Sequence, residues 1–180
     1  MNLFQTKIES ERLALIPISK SHAKVIFEEF TAEITEFMYP KPAGNIEEVH
    51  DFITSSLESM KAGTNLQLVI IQKSTQEFLG CIGLHNLEQA APELGIWLKK
   101  SAHGKGYGLE AMTALIHWAQ NNIDFEFLKY PVDKRNIPSR KIPEANGGIL
   151  KREFKAVNLS GNELDEVEYW IYNKNYNHEK

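Results

Sequence analysis

The chain has 180 residues, 42% hydrophobic and 24% charged, with a formal charge of -4 at pH 7. That length and composition suit one soluble domain that buries its core without disulfide staples, and a single cysteine excludes an internal disulfide. The negative balance excludes a general pull on nucleic acid or an anionic membrane surface, so any anion must be recognised locally.

Leu13 and Leu15 alternate with other residues up to Pro17 and Ser19, which predicts a short strand. Ser21 then caps a helix through Phe30, with Ala23, Val25, Ile26 and Phe30 on its inner face. Residues 31–45 hold Pro40, Pro42 and Gly44 among Phe37 and Tyr39, and read as a loop that either packs on the core or lines an acceptor pocket. Asn45, followed by Glu47 and Glu48, starts a helix to about Ala62 whose buried stripe is Val49, Phe52, Ile53, Leu57 and Met60.

The period then changes. Leu66–Ile71 and Phe78–Leu84 form a hairpin about the polar turn at 73–76, and Glu93–Leu98 is the next strand. Cys81 falls in the second of these runs, where an inert buried thiol is expected, and a lone cysteine suits a reducing compartment. After a helix from Leu109 to Gln120, with Ala111, Leu115, Ile116 and Ala119 inward, comes a short strand at Leu128–Val132. Pro131 predicts that this strand lies at an edge or a bulge, where it could pair between subunits of a homodimer. Pro138 suits the first turn of a helix that Pro143 interrupts and Gly147-Gly148 closes. The strands Ile149–Phe154 and Val167–Asn173 end the pattern, without repeat or linker. No apolar run approaches the ~20 residues of a membrane helix, and no signal peptide is read at the start, so a cytoplasmic protein is expected. The order of elements predicts a mixed α/β sheet.

Between the strand ending at Leu98 and the helix from Leu109 lies Lys99-Lys100-Ser101-Ala102-His103-Gly104-Lys105-Gly106-Tyr107-Gly108. Glycine at every second position lets the backbone approach a ligand closely, and the free amides of the helix start favour a phosphate or pyrophosphate. Lys99, Lys100 and Lys105 add positive charge. The spacing is neither the Rossmann fingerprint, since Gly108 comes one residue too soon after Gly106, nor a P-loop, since Gly106 follows Lys105.

These segments resemble the GNAT superfamily of acyl-CoA-dependent N-acyltransferases, and within it the RimJ/RimL-type branch that acetylates protein N-termini. Glu9-Ser10-Glu11-Arg12-Leu13-Ala14-Leu15 is similar to the branch's first strand, Pro92–Leu98 to its fourth, and His103 to Gly108 to the superfamily's pyrophosphate loop. The resemblance implies a single domain spanning 1–180, with a mostly antiparallel sheet of about seven strands flanked by about four helices. It implies acetyl-CoA as acyl donor, no metal, and an amine acceptor that is a protein N-terminus or a small amine such as a polyamine, amino acid or antibiotic. Cofactor contacts then fall on His103, Gly104, Lys105, Gly106, Tyr107 and Gly108 for the phosphates. Asn136 and Ser139, in the family's Asn-x-x-Ser stretch, reach the pantetheine arm, and Ile96 and Leu98 bind beside it through their backbone. Two departures stand out: His103 replaces the family's Arg or Gln, and Pro143 occupies the place where many members carry a tyrosine as general acid.

The implied reaction is direct attack of a neutral amine on the thioester, its oxygen polarised by backbone amides, without an enzyme-bound intermediate. A protein α-amine, with pKa near 7.7–8.0, is roughly a tenth neutral at pH 7, whereas a lysine near 10.4 is less than about a thousandth neutral, so a weak base suits the α-amine. Glu93 is a candidate base, or else an ordinary charge at a strand end, and His85 is a second candidate. Ser139 can also meet the thiol. His117 and Trp118 read as packing residues and Trp170 as core rather than acceptor pocket, while Asp133, Lys134 and Arg135 read as a solvated turn with a minor option of a ribose-phosphate contact from Lys134 or Arg135. The alternatives are an acetyltransferase of small amines and a GNAT-shaped module that binds acyl-CoA without turnover.

Overall fold

Period-two and 3.6-residue patterns sort the chain into strands β1 (Ile8–Glu9), β2 (Leu13–Pro17), β3 (Asn65–Gln72), β4 (Phe78–His85), β5 (Glu93–Leu98), β6 (Phe127–Asp133), β7 (Ile149–Val157) and β8 (Glu163–Tyr172). The helices are α1 (Ala23–Glu29), α2 (Ala32–Thr35), α3 (Ile46–Ala62), α4 (Tyr107–Asn122) and α5 (Ile137–Ala145). The structure, a computed structural model, describes residues 2–175. All eight strands join one sheet in the order β1-β2-β3-β4-β5-β6-β8-β7. Every pairing is antiparallel except β5 with β6. The expected mostly antiparallel α/β sheet is therefore present, with one more strand, the two-residue β1, and one more helix, the single turn α2.

Helices cover both faces of the middle of the sheet. Trp97 of β5 packs on Phe30 at the end of α1, with ring centroids 4.8 Å apart. Its neighbours Ile96 and Leu98 point the other way, onto Gly108 of α4. Leu66 to Ile70 of β3 and Phe78 to Leu84 of β4 are accordingly buried without a break, as strands covered on both faces must be. No helix among the described residues is long and apolar enough to cross a membrane.

Several local expectations shift. The first helix begins at Ala23 rather than after Ser21, because a 3-10 turn (Lys20–His22) precedes it and Ser19 is that turn's cap. Asn45 caps α3 as read, its Oδ1 accepting the Glu48 N–H at 3.1 Å, but Phe52 is 44% exposed and leaves the inner stripe to Val49, Ile53, Met60 and the partly buried Leu57. The segment 31–45 contains α2, capped by Thr31. Pro143 does not interrupt α5, which continues to Ala145; so near the end of a helix, proline forfeits only the bond to the Ser139 carbonyl. The last strand starts four residues earlier than Val167, at Glu163. Trp170 is not core: it is half-buried and stacks on Phe127 at 3.9 Å.

Pro131 is not on an edge, since β6 lies between β5 and β8. The Lys129 N–H points to β5, where it bonds the Pro92 carbonyl at 2.8 Å. Two residues on, the Pro131 nitrogen points the same way, and there β5 no longer pairs. The missing donor falls where no strand offers an acceptor, and the expectation of pairing between subunits at this strand loses its basis.

Candidate active site

The sheet opens between β5 and β6. They pair at a single position, Glu93 with Lys129, and then diverge. On its other side β5 is fully paired with β4, and the Lys99 N–H bonds the Leu79 carbonyl at 2.8 Å. The alternation of an antiparallel ladder then turns the backbone groups of Gly95 and Trp97 toward β4 and those of Ile96 and Leu98 toward β6. The N–H and C=O of Ile96 and the N–H of Leu98 therefore face the opening with no strand to receive them.

A cavity of about 890 Å³ occupies this opening. One wall is β5 from Glu93 to Leu98, and a second is the turn and first residues of α4, with His103, Gly104, Gly106, Tyr107 and Gly108. Tyr130, Pro131 and Val132 of β6 and Asn136, Ile137, Pro138 and Ser139 at the start of α5 form a third. The far end is bounded by Phe37 to Pro40 and by Phe154, Leu164, Glu166 and Glu168 of the β7–β8 pair. The loop holding Phe37 is tied to the β7–β8 hairpin, since the Leu159 N–H donates to the Tyr39 carbonyl at 2.9 Å and Asn158 Nδ2 to the Met38 carbonyl at 3.2 Å. Within the segment 31–45, Phe37 to Pro40 thus line the cavity.

The structure thus gathers Glu93, Ile96, Leu98, His103, Gly104, Gly106, Tyr107, Gly108, Asn136 and Ser139 around one space; of the expected site residues Lys105 and the second candidate base His85 do not line it. Gly104 and Gly106 have φ of 73° and 78°, left-handed values that favour glycine, and Gly106 is the N-cap of α4. Gly108 belongs to the helix rather than the turn; a Cβ there would stand 3.3 Å from Ile142 and 3.5 Å from Leu98, so glycine brings α4 against β5 and α5. His103 Nε2 lies 2.9 Å from the Leu98 carbonyl, which can only accept, so Nε2 carries the proton.

Asn136 Oδ1 accepts the Ser139 N–H at 3.3 Å and starts α5. Ser139 Oγ lies 2.8 Å from the hydroxyl of Tyr130, a residue the sequence did not single out. Burial pushes the Tyr130 phenol up to about 12, against the Ser139 hydrogen bond, so it keeps its proton at neutral pH.

The carboxylates cluster at the other end. Burial, more than the opposing Lys129 charge, lifts Glu93 above its usual value, and the charge of Glu168 adds to the rise. Glu168 accepts Trp170 Nε1 at 2.7 Å. Glu166 is 8% exposed, and its Oε2 is buried without a hydrogen-bond partner among the described residues. Burial, then the charges of Asp133 and Glu93, push its carboxyl up to about 7. Asp133 is itself fully buried, yet hydrogen bonds from Arg135 and from the Asp165 N–H outweigh burial and hold it low. Arg135 and Lys134 are committed to Asp133, Glu153 and Asp165.

His85 stands opposite Glu93 on β4 but does not line the cavity, and burial lowers its pKa, keeping the ring neutral. Cys81 is buried, with its thiol pushed far above the usual range by desolvation. Among the described residues no cluster of three or more His, Cys, Asp or Glu is arranged to hold a metal.

Residues 12–149 match the family model described as an acetyltransferase (GNAT) domain. An uncharacterized N-acetyltransferase, p20, of Bacillus licheniformis is 26% identical over 74% of this chain and 76% of its own length. The ribosomal-protein-serine acetyltransferase of Escherichia coli (strain K12) is 25% identical over 88% of this chain and 90% of its own length. Among solved structures, RimL, a ribosomal L7/L12 alpha-N-protein acetyltransferase in complex with coenzyme A, superposes with a TM-score of 0.84 at 19% identity, covering 93% of this chain and 98% of its own.

Proposed function

Since the chain belongs to the GNAT family of acetyltransferases and is an acyltransferase, we propose that it transfers the acetyl group of acetyl-CoA to a primary amine, the α-amine of a protein N-terminus. The observation that carries this reading is the opening between β5 and β6, with unpaired backbone groups on one side and a buried, unpartnered carboxylate on the other. The resemblance to ribosomal-protein acetyltransferases supports the protein acceptor.

The turn at Gly104 and Gly106 and the amides of α4 take the pyrophosphate. Ile96 and Leu98 hold the pantetheine by their free backbone groups and offer an N–H to the thioester oxygen. Asn136, whose Oδ1 is occupied by the helix cap, has its Nδ2 to offer the same arm. Glu166 accepts a proton from the incoming ammonium, leaving the nitrogen lone pair free to attack the thioester carbon. As the C–S bond breaks, the departing thiolate takes a hydrogen bond from the Ser139 hydroxyl, with the phenol of Tyr130 behind it, and ends as the thiol by taking up the second proton, which the nitrogen sheds on becoming an amide. That pair occupies the role left open by Pro143. Glu93 adds negative charge that favours an ammonium and keeps Glu166 basic.

A base near 7 is matched to an α-amine near 8 and poorly matched to a lysine near 10.4. The test is incubation with acetyl-CoA and a set comprising peptides with free N-termini, N-blocked peptides bearing lysine, and polyamines, read by mass spectrometry. Acetylation of the free N-termini is expected. Modification of polyamines or blocked peptides alone would replace the proposed acceptor.

A further inference from the structure

Arg12 lies just before β2, far in sequence from the glycine turn, yet four contacts join it to that turn and the helix behind it. Its Nε donates to Glu110 Oε2 at 2.7 Å and its Nη1 to the Lys105 carbonyl at 3.0 Å. Its backbone N–H donates to Glu110 Oε1 at 2.8 Å, and its guanidinium lies 4.5 Å from the centre of the Tyr107 ring. Ser10 Oγ completes the set by donating to Glu110 Oε1 at 2.7 Å.

Two consequences follow for an anion in the turn. A trans peptide carries its C=O and N–H on opposite sides, and the described chain has no cis bond. With the Lys105 carbonyl drawn to Arg12, the N–H of Gly106 points away from Arg12. Gly106 lines the cavity, whereas Arg12 and Lys105 do not, so this is the direction of the cavity. Gly106, a left-handed glycine without a Cβ, puts little steric resistance on its side against rotation of the peptide that joins it to Lys105, and the guanidinium supplies the restraint instead. The second consequence is electrostatic. Glu110 is in the first turn of α4, where its charge opposes a bound phosphate, and Arg12 and Ser10 neutralise or occupy both its oxygens.

We propose that Arg12 is a positioning residue for the phosphate-binding turn: its guanidinium, held by Glu110, fixes the peptide between Lys105 and Gly106 so that the Gly106 N–H meets the diphosphate of the acyl donor. The inference rests on the acetyl-CoA reading above and adds to it a residue outside the cavity. A guanidinium fork spans Glu110 and the Lys105 carbonyl together, which an ammonium does not.

The test compares acetyl-CoA with S-acetyl-pantetheine, a donor that lacks the phosphates, in the full chain and in Arg12→Gln and Arg12→Lys. Both variants are expected to raise KM for acetyl-CoA about tenfold with kcat at saturation within about twofold, by loss of charge-assisted hydrogen bonds. With S-acetyl-pantetheine, kcat/KM is expected to stay within about twofold of wild type. An equal loss with both donors would make Arg12 a merely structural residue and overturn the proposal, as would an unchanged KM in either variant. A wild type that uses neither donor would instead sink the acetyl-CoA reading itself, whatever Arg12 does.

Discussion

Replacing Glu166 with Gln separates stability from catalysis. In the folded protein the carboxyl is raised from 4.5 to about 7, chiefly by burial. A carboxyl raised on folding binds its proton more tightly in the native state, so ionising it costs stability. The penalty is absent below about pH 4.5, grows as pH rises toward 7, and is fully present above 7. Raising a carboxyl by that amount corresponds to roughly 3 kcal/mol, and the opening of the cavity to solvent reduces it to about 2 kcal/mol. Glu166→Gln removes the ionisation and keeps the shape. At pH 8 the variant is expected to melt about 4–8 °C above wild type, for a chain of this length. At pH 4.5 the two are expected to melt together. Over the same range, wild-type kcat/KM should fall about tenfold per pH unit below about 7 as the base takes up its proton, while the variant loses about a hundredfold at pH 8 and the dependence with it. The assays are thermal denaturation at both pH values and a pH profile of acetyl transfer. A variant that melts below wild type at pH 8, or that retains the wild-type rate and profile, would refute the assignment of Glu166.

Tyr130→Phe removes only the hydroxyl beside Ser139 Oγ; kcat is expected to fall about tenfold with KM for acetyl-CoA nearly unchanged, and Ser139→Ala at least as far, both read by steady-state kinetics. Gly80→Ala places a Cβ 2.1 Å from the Trp97 carbonyl oxygen and 2.8 Å from the Leu98 Cα. Since both neighbours are backbone of β5, the strands must separate, and a loss of about 3 kcal/mol or more is expected in urea denaturation.

The signals legible in the sequence were local ones. The glycine turn, the strand from Glu93 to Leu98 that feeds it, and Asn136 with Ser139 three residues on are each set by neighbours in the chain, and they converge on one cavity. Pro131 is also a real signal: it suggests an edge or a bulge, and it marks instead the place where β5 and β6 part. The parting itself was not legible, because it depends on a register between strands separated by α4. Glu166 was missed because the last strand was begun at Val167; carried back to Glu163, the alternation sets Glu166, Glu168 and Trp170 on one face, a pattern that charged residues hide from a search for apolar periodicity. Tyr130 sat in plain view on a short strand, but its pairing with Ser139 requires α5 to fold back on β6. Arg12 falls in a family-like stretch that by itself gives it no role, since its partners Lys105, Tyr107 and Glu110 lie almost a hundred residues away.

The opening beside β5 as the seat of acetyl-CoA is tested most directly by calorimetric titration of acetyl-CoA into the wild type and into Gly106→Trp, each shown to be folded by its thermal melt. The wild type is expected to bind with one site per chain, and the variant, whose side chain strains the left-handed backbone at the start of α4 and crowds Arg12, to lose that binding. A folded wild type that gives no heat of binding, or a variant that binds as the wild type does, would contradict the account.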